Sequence, residues 1–309
     1  MTQEPAGQPR PKGKAAIWSI GMFSGATLVD LKPIEQTVTP VLSAADVTDV
    51  PAKFVADPFM ISVDHTWHMF FEVMNGQTGK GEIGLAKSAD GARWSYQQIV
   101  LREPFHLSYP YVFCADNQYF MAPESYQANS TKLYRAVSFP TRWEPVKTIL
   151  EGGWVDSSFF FFDGLWWLFS NPVAPPWQVL ELFYADGIFG RWHRHPMSPL
   201  VNGNNRIARG AGRVIVLDGK PVRFAQDCFP SYGTSVRAFE ITALTTTSYA
   251  EREIEGSPIL GPGTLPWNES GMHHIDAHFT ENGWLACVDG WRNAPATSAI
   301  KELCDVHES

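Results

Sequence analysis

Trp94, Trp143 and Trp192 recur at a constant interval of 49 residues. Each closes a related frame: Ala86 to Trp94, Arg135 to Trp143, and Ala185-Asp186-Gly187 to Trp192. A period near 50 made of short apolar runs is the signature of a propeller blade. Such a unit cannot bury its own faces, so the repeat commits the chain to neighbours packed side by side.

Superposing the units gives five openings: Asp57-Pro58-Phe59, Tyr109-Pro110-Tyr111, Asp156-Ser157-Ser158, Gly212-Arg213-Val214 and Asp276-Ala277-His278. An aromatic-rich second run follows each of the first three, at Trp67, Tyr119 and Trp166; Val222 and Trp284 take the place in the last two. Hairpin chemistry separates the runs, as in Asp163-Gly164, Asp218-Gly219 and Asn282-Gly283. Only 18 residues follow Trp291. The fifth unit must therefore borrow its outer strands from Ile17–Phe23 and Val38–Leu42, which closes the ring and removes the exposed edges. The expected fold is all-β: a five-bladed β-propeller of four-stranded blades over residues 15–292, closed by the N-terminal strands. Residues 1–14 read as a disordered tail and 293–309 as a C-terminal tail.

Charge and composition remove several functions. A net charge of −8 with no basic stripe argues against nucleic acid. No run approaches the ~18 apolar residues of a membrane span. The polar start from Met1 to Lys14 lacks a signal core, and Cys114, Cys228, Cys287 and Cys304 show no paired spacing. Buried free thiols and a cytoplasmic location are expected.

In a propeller the innermost strands begin at one end of a central channel. The openings therefore define one ring (Asp57, Tyr109, Asp156, Gly212, Asp276), and the ends of the following strands a second (Glu72, Glu124, Asn171, Asp227, Asp289). Carboxylates in strands otherwise full of Phe, Trp and Val are expensive unless paired or functional. Converging carboxyls suit sugar chemistry, one protonating a leaving oxygen and another assisting at the anomeric carbon. Trp67, Trp154, Trp166, Trp167 and Trp177 are aromatics that can stack on sugar faces or fill the core.

Long stretches resemble the N-terminal domain of glucosamine inositolphosphorylceramide transferases: Ala56–Phe59, Met69–Asn75, Gly79–Ala86, Pro104–Phe113, Ala225–Cys228 and Gly271–His278. The resemblance covers residues 15–292 and implies kinship with the five-bladed arabinanases, xylosidases, invertases and levansucrases. It implies that Asp57 is base or nucleophile and that Asp156 tunes the acid and orients substrate. The resemblance places a general-acid Glu near Ala208–Arg213, where this chain has none, so Glu124 or Asp227 becomes the candidate acid. In the plant proteins a membrane-tethered glycosyltransferase domain follows, for which this chain has no room.

Two readings result. One is a glycoside hydrolase or transglycosylase acting on a glycan or glycoconjugate at the channel mouth. The other is a non-catalytic glycan-binding domain assisting a separately encoded glycosyltransferase. Glu72, Tyr109, Arg209, Arg213, His273, His274 and Asp276 are the expected substrate-binding residues. Arg209 and Arg213, if they face the pocket, point to an anionic sugar, because guanidinium pairs bidentately with carboxylate and phosphate. No cofactor is expected; the one spacing suited to Ca²⁺ or Zn²⁺ is His274-x-Asp276-x-His278.

Overall fold

The structure, a computed structural model, describes residues 16–34 and 39–294. The expected tails, most of residues 293–309 and Cys304 lie outside the described residues, as does Val38.

Five antiparallel sheets follow one another around a ring. The first blade is Ala52–Val63, Thr66–Asn75, Gly81–Ser88 and Ser95–Leu101. The second is Ser108–Ala115, Gln118–Glu124, Ser130–Ser138 and Arg142–Glu151. The third runs Trp154–Phe162, Leu165–Pro172, Val179–Ala185 and His193–Arg194, with Val201–Asn202 also pairing on Val179–Ala185. The fourth is Ile215–Leu217, Lys220–Asp227, Ser235–Leu244 and Tyr249–Glu253. The fifth joins Ile275–Thr280 and Gly283–Asn293 to Ala16–Gly25 and Lys32–Pro33.

The N-terminal closure is continuous from Ala16↔Asn293 to Gly25↔Trp284. Lys32–Pro33 provides the outermost strand, whereas the described part of the expected Val38–Leu42 run joins the blade through the bridge Ile20↔Leu42. Pro40 cannot donate to a ladder, which limits that run as a strand.

Apolar side chains interlock between adjacent sheets. Phe113 of the second blade stacks on Phe159 of the third at 5.8 Å, and Phe59 of the first meets Tyr109 and Tyr111 of the second at 4.8 and 5.1 Å. Cys228 and Cys287 are buried as expected, but Cys114 is exposed, because it lies near the hairpin end of its strand. Trp167 belongs to the core, and Trp67 and Trp166 stand at the hairpin end, away from the mouth.

Candidate functional site

Strand register fixes which residues share the mouth. In the first three blades Ala56↔Glu72, Ser108↔Glu124 and Val155↔Asn171 are paired. The next residue in each case, Asp57, Tyr109 or Asp156, bulges out of the ladder with φ of 52°, 46° and 49°. A left-handed conformation in a non-glycine residue costs energy, and three at equivalent positions mark a built feature.

The last two blades obey the same register but with other residues. Gly210↔Ala225 and the bond from Gln226 N to Arg209 O keep Arg209 in the ladder of the fourth blade, at the place that the bulged residue takes in the first three. Gly271↔Trp291 and Ile275↔Val288 place His274 there in the fifth. The mouth ring is thus Asp57, Tyr109, Asp156, Arg209 and His274. Gly212 and Asp276, the expected members, lie deeper in the channel. The fourth blade's inner strand carries extra residues between Ala211 and Ile215, so the spacing of the first three blades missed Arg209. The fifth blade's hairpin is as long as the others, and counting back from Trp284 by the interval that separates Asp57 from Trp67 gives His274; Asp276 assumed a shorter turn.

Gly212 fills a structural role at that depth. With φ of 133°, its position would bring a Cβ to 1.7 Å from Ile275 O. Its N–H donates to Tyr109 Oη at 2.7 Å, and its carbonyl accepts from Ser158 Oγ at 2.9 Å. Asp276 is likewise committed: Arg213 Nε donates to it at 2.6 Å and Met60 N at 2.6 Å. Arg213 also donates to Val112 O at 2.9 Å and lies over the Tyr111 ring. Burial raises the Asp276 carboxyl, but Arg213 and His278 outweigh it and leave the pKa far below the usual range. This cluster joins the first, second, fourth and fifth blades below the mouth.

At the mouth, Arg209 pairs through Nε with Asp156 and lies 5.0 Å from the Tyr232 ring. Its Nη2 is 4.0 Å from Glu124 Oε2. Burial raises the Glu124 carboxyl well above its ordinary range, and the adjacent Asp156 raises it further. Burial likewise raises Asp57, to about 7; His273 opposes that shift while Asp289 and Asp156 add to it. Glu72 is pushed well up by burial and by Asp57.

Asp289 supports this group from the second ring. Its carboxylate accepts the Asp57 N–H at 3.0 Å and bonds His273 Nδ1 at 2.7 Å. Burial favours neutral forms of both, yet their mutual attraction wins, raising His273 and lowering Asp289. His273 Nε2 stands 3.8 Å from Asp57 Oδ1. His274 differs: its Nε2 bonds Pro58 O at 3.0 Å, and burial lowers its pKa to about 4.

The remaining expected residues separate. Asp227 is held by Arg206 Nη2 at 3.1 Å and Arg237 Nη2 at 2.8 Å, which occupies it as an ion-pair centre rather than an acid aimed at the mouth. Both expected anion receptors, Arg209 and Arg213, are spent on carboxylates within the fold, which withdraws the reason to expect an anionic sugar. Asp57, Glu72, Tyr109, Glu124, Asp156, Arg209, His273 and His274 gather at the mouth.

Sequence reasoning missed the cover. Trp18 stacks on His273 at 4.0 Å, Tyr232 meets His273 edge-on at 5.1 Å, and Trp177 stacks on Tyr232 at 5.5 Å. Trp177, with φ of 64°, is a member of the expected aromatic set that reaches this cover. The turn-rich Phe229-Pro230-Ser231-Tyr232-Gly233 was the available signal for Tyr232.

Among the described residues, Asp57, His273 and Asp289 are the set whose ligand atoms lie within 4.8 Å of one another, close enough to hold a metal ion. The expected His274-x-Asp276-x-His278 set does not form such a group, since His274 faces Pro58 O and Asp276 pairs with Arg213.

The family model described as glucosamine inositolphosphorylceramide transferase 1, N-terminal, matches residues 11–291. The rice (Oryza sativa subsp. japonica) glucosamine inositolphosphorylceramide transferase 1 is 35% identical over 315 residues, covering 95% of this chain and 42% of the relative. The Arabidopsis thaliana protein of the same name is 36% identical over 297 residues, covering 89% of this chain and 39% of its own length. The chain thus spans about two-fifths of these relatives. Among solved structures, a glycosyl hydrolase from Bacteroides ovatus superposes with a TM-score of 0.62 at 11% identity, covering 89% of this chain and 96% of the other. The catalytic domain of the Coprinopsis cinerea GH62 α-L-arabinofuranosidase gives 0.57 at 13% identity, covering 78% and 92%. At such identities the likeness is one of fold.

Proposed function

The chain belongs to the family of glucosamine inositolphosphorylceramide transferase N-terminal domains, and on that premise we propose that it cleaves or transfers a glycosidic bond at its channel mouth. In this reading Asp57 is base or nucleophile and Glu124 is the general acid. The observation that carries it is the division of labour between two buried carboxyls. Asp57, with a pKa near 7, is substantially ionised at neutral pH, whereas Glu124 beside Asp156 keeps its proton.

The residues around them have matching tasks. Glu124 gives its proton to the leaving oxygen as the glycosidic bond breaks. Asp57 then either bonds to the anomeric carbon or takes a proton from the attacking water. Asp156, paired with Arg209, adds to the burial that raises the Glu124 carboxyl. Asp289 anchors the strained Asp57 backbone, and His273 offsets its charge. Trp18, Tyr232 and Trp177 limit water around the reacting carbon. Free thiols at Cys114, Cys228 and Cys287 suit the cytoplasmic setting that forms part of this proposal.

Arg209 at the fourth-blade position of the mouth ring favours a second reading, a glycan-binding domain that assists a separate glycosyltransferase. A screen of purified protein against a glycoside and polysaccharide panel separates the two. Turnover that Asp57→Asn abolishes supports catalysis; tight binding without turnover across the panel leaves the binding role.

A further inference from the structure

The mouth is charged, yet it is closed. Asp57, Glu72, Glu124, Asp156 and Arg209 stand where the channel opens, and all five are buried. Tyr232 is the side chain common to the contacts that cover them. Its ring lies 5.0 Å from the Arg209 guanidinium, 5.1 Å from the His273 ring, 6.2 Å from Trp18 and 5.5 Å from Trp177. Trp18 sits on a strand paired along its whole length. Tyr232 and Trp177 instead sit on connections, one after Lys220–Asp227 and the other after Leu165–Pro172.

The Tyr232 connection is pinned at its ends and loose between them. Cys228 N donates to Asn205 O at 2.9 Å, and Gly233 O accepts from Trp291 Nε1 at 2.9 Å. Gly233, with φ of 72°, turns the chain against Trp18, whose Cη2 would lie 2.5 Å from a Cβ there. Among the described residues, no hydrogen bond joins residues 229–232 to another blade; their bonds run to Asp227 and Thr234. Ring contacts hold Tyr232 in the mouth. A segment with so few tethers opens at a lower cost than the strands around it.

Trp177 indicates what the Tyr232 ring replaces. Its indole stacks on Tyr232 with the planes 29° apart, and its Nε1 is buried with no hydrogen-bond partner among the described residues. A buried N–H donor without an acceptor calls for a ligand or an explanation. An aromatic face with a donor at its edge fits a sugar ring, which offers a C–H face to the indole and a hydroxyl oxygen to the N–H. Tyr232 meets the face and leaves the donor unmet.

We propose that Tyr232 occupies the place of a sugar ring in the free protein, and that Trp177 is the platform on which that sugar stacks once Tyr232 swings out. The proposal rests on the reading that the mouth is a glycan site and adds how that site is gated. Affinity is then reduced by the fraction of molecules whose mouth is open. Removing Tyr232 therefore tightens binding and removing Trp177 weakens it, although both changes uncover the carboxyls. A merely structural role for the pair would move both variants the same way.

The test has two arms, run on the full chain. Carbodiimide labelling of Asp57, Glu72 and Glu124, read by mass spectrometry, reports opening without any sugar. Calorimetry with the methyl pyranosides of glucose, galactose, mannose and xylose reports binding. Tyr232→Ala should label at least ~10-fold faster than wild type and bind its preferred pyranoside more tightly by a similar factor. Tyr232→Phe should match wild type in both arms, because the ring is the plug. Trp177→Ala should label faster but bind more weakly, and Trp177→Leu, which keeps bulk without a flat face, should bind as weakly. Wild-type labelling rates in Tyr232→Ala, or pyranoside binding in both Trp177 variants as tight as in wild type, overturn the proposal and leave the glycan site standing. Faster labelling with no pyranoside bound by any variant sinks the glycan reading and the proposal with it.

Discussion

Asp289 holds Asp57 from behind, accepting its backbone N–H at 3.0 Å while also bonding His273 Nδ1 at 2.7 Å. The strained residue at the mouth is thereby fixed by a carboxylate from the neighbouring strand. Removing a participant in proton transfer typically costs ~10²–10⁴-fold in rate. Asp57→Asn should lose that much kcat and retain glycan affinity. Asp289→Asn should lower kcat less and leave KM nearly unchanged, as expected for a positioning residue. Steady-state kinetics on both variants is the check, and equal losses in KM would contradict the assignment.

Glu124 and Asp227 were equivalent candidates for the acid in sequence, but their surroundings now separate them. Glu124→Gln should abolish cleavage of glycosides with poor leaving groups and spare activated aryl glycosides, which need no proton. Asp227→Asn should act on stability instead, because it frees Arg206 and Arg237 at one buried site. Comparing the two variants on both substrates, with melting curves, decides the matter. Normal activity of Glu124→Gln on natural glycans would eliminate it as the acid.

Burial raises Asp57 from 3.8 to about 7, so the folded protein binds this proton more tightly than the unfolded chain. The associated stability is complete below pH 3.8 and is lost as pH rises through 7. Asp57→Asn should remove this dependence. Its melting temperature relative to wild type should climb between pH 4 and pH 8, measured by scanning calorimetry. A constant difference across that range would contradict the raised pKa.

Arg213 and Asp276 bind four blades together below the mouth. Arg213→Met leaves Asp276 buried without its cation, a change that typically costs ~3–5 kcal/mol. Urea unfolding should show a loss of that size, and the Arg213→Met/Asp276→Leu double variant should recover part of it. Single and double losses that simply add would mean that the pair does not act as a unit.

Ala16–Gly25 pairs along its whole length with Gly283–Asn293. A chain beginning at Val41 should therefore fail to fold cooperatively, because the fifth blade loses its two outer strands and exposes an edge. Circular dichroism melting is the measurement. A soluble two-state product would refute the closure.

The sequence by itself determined the blade count, the antiparallel hairpins and the N-terminal closure. Those features depend on local periodicity, two-residue turns at sites such as Asp163-Gly164, and the need to cover an edge. It also identified Asp57, Glu124 and Asp156, because the first three blades repeat with the same spacing. Tertiary structure decided what spacing cannot carry. Extra residues in the inner strand moved Arg209 into the fourth place of the ring and sent Gly212 deeper, and a hairpin of the usual length put His274 in the fifth place and Asp276 below it. Only the folded state pairs Arg209 with Asp156, Arg213 with Asp276 and Asp227 with two arginines, since these partners lie on different strands or blades. The physical reason is that a side chain's charge and direction depend on register and on neighbours across the channel. A bulge alters both without leaving any mark in composition.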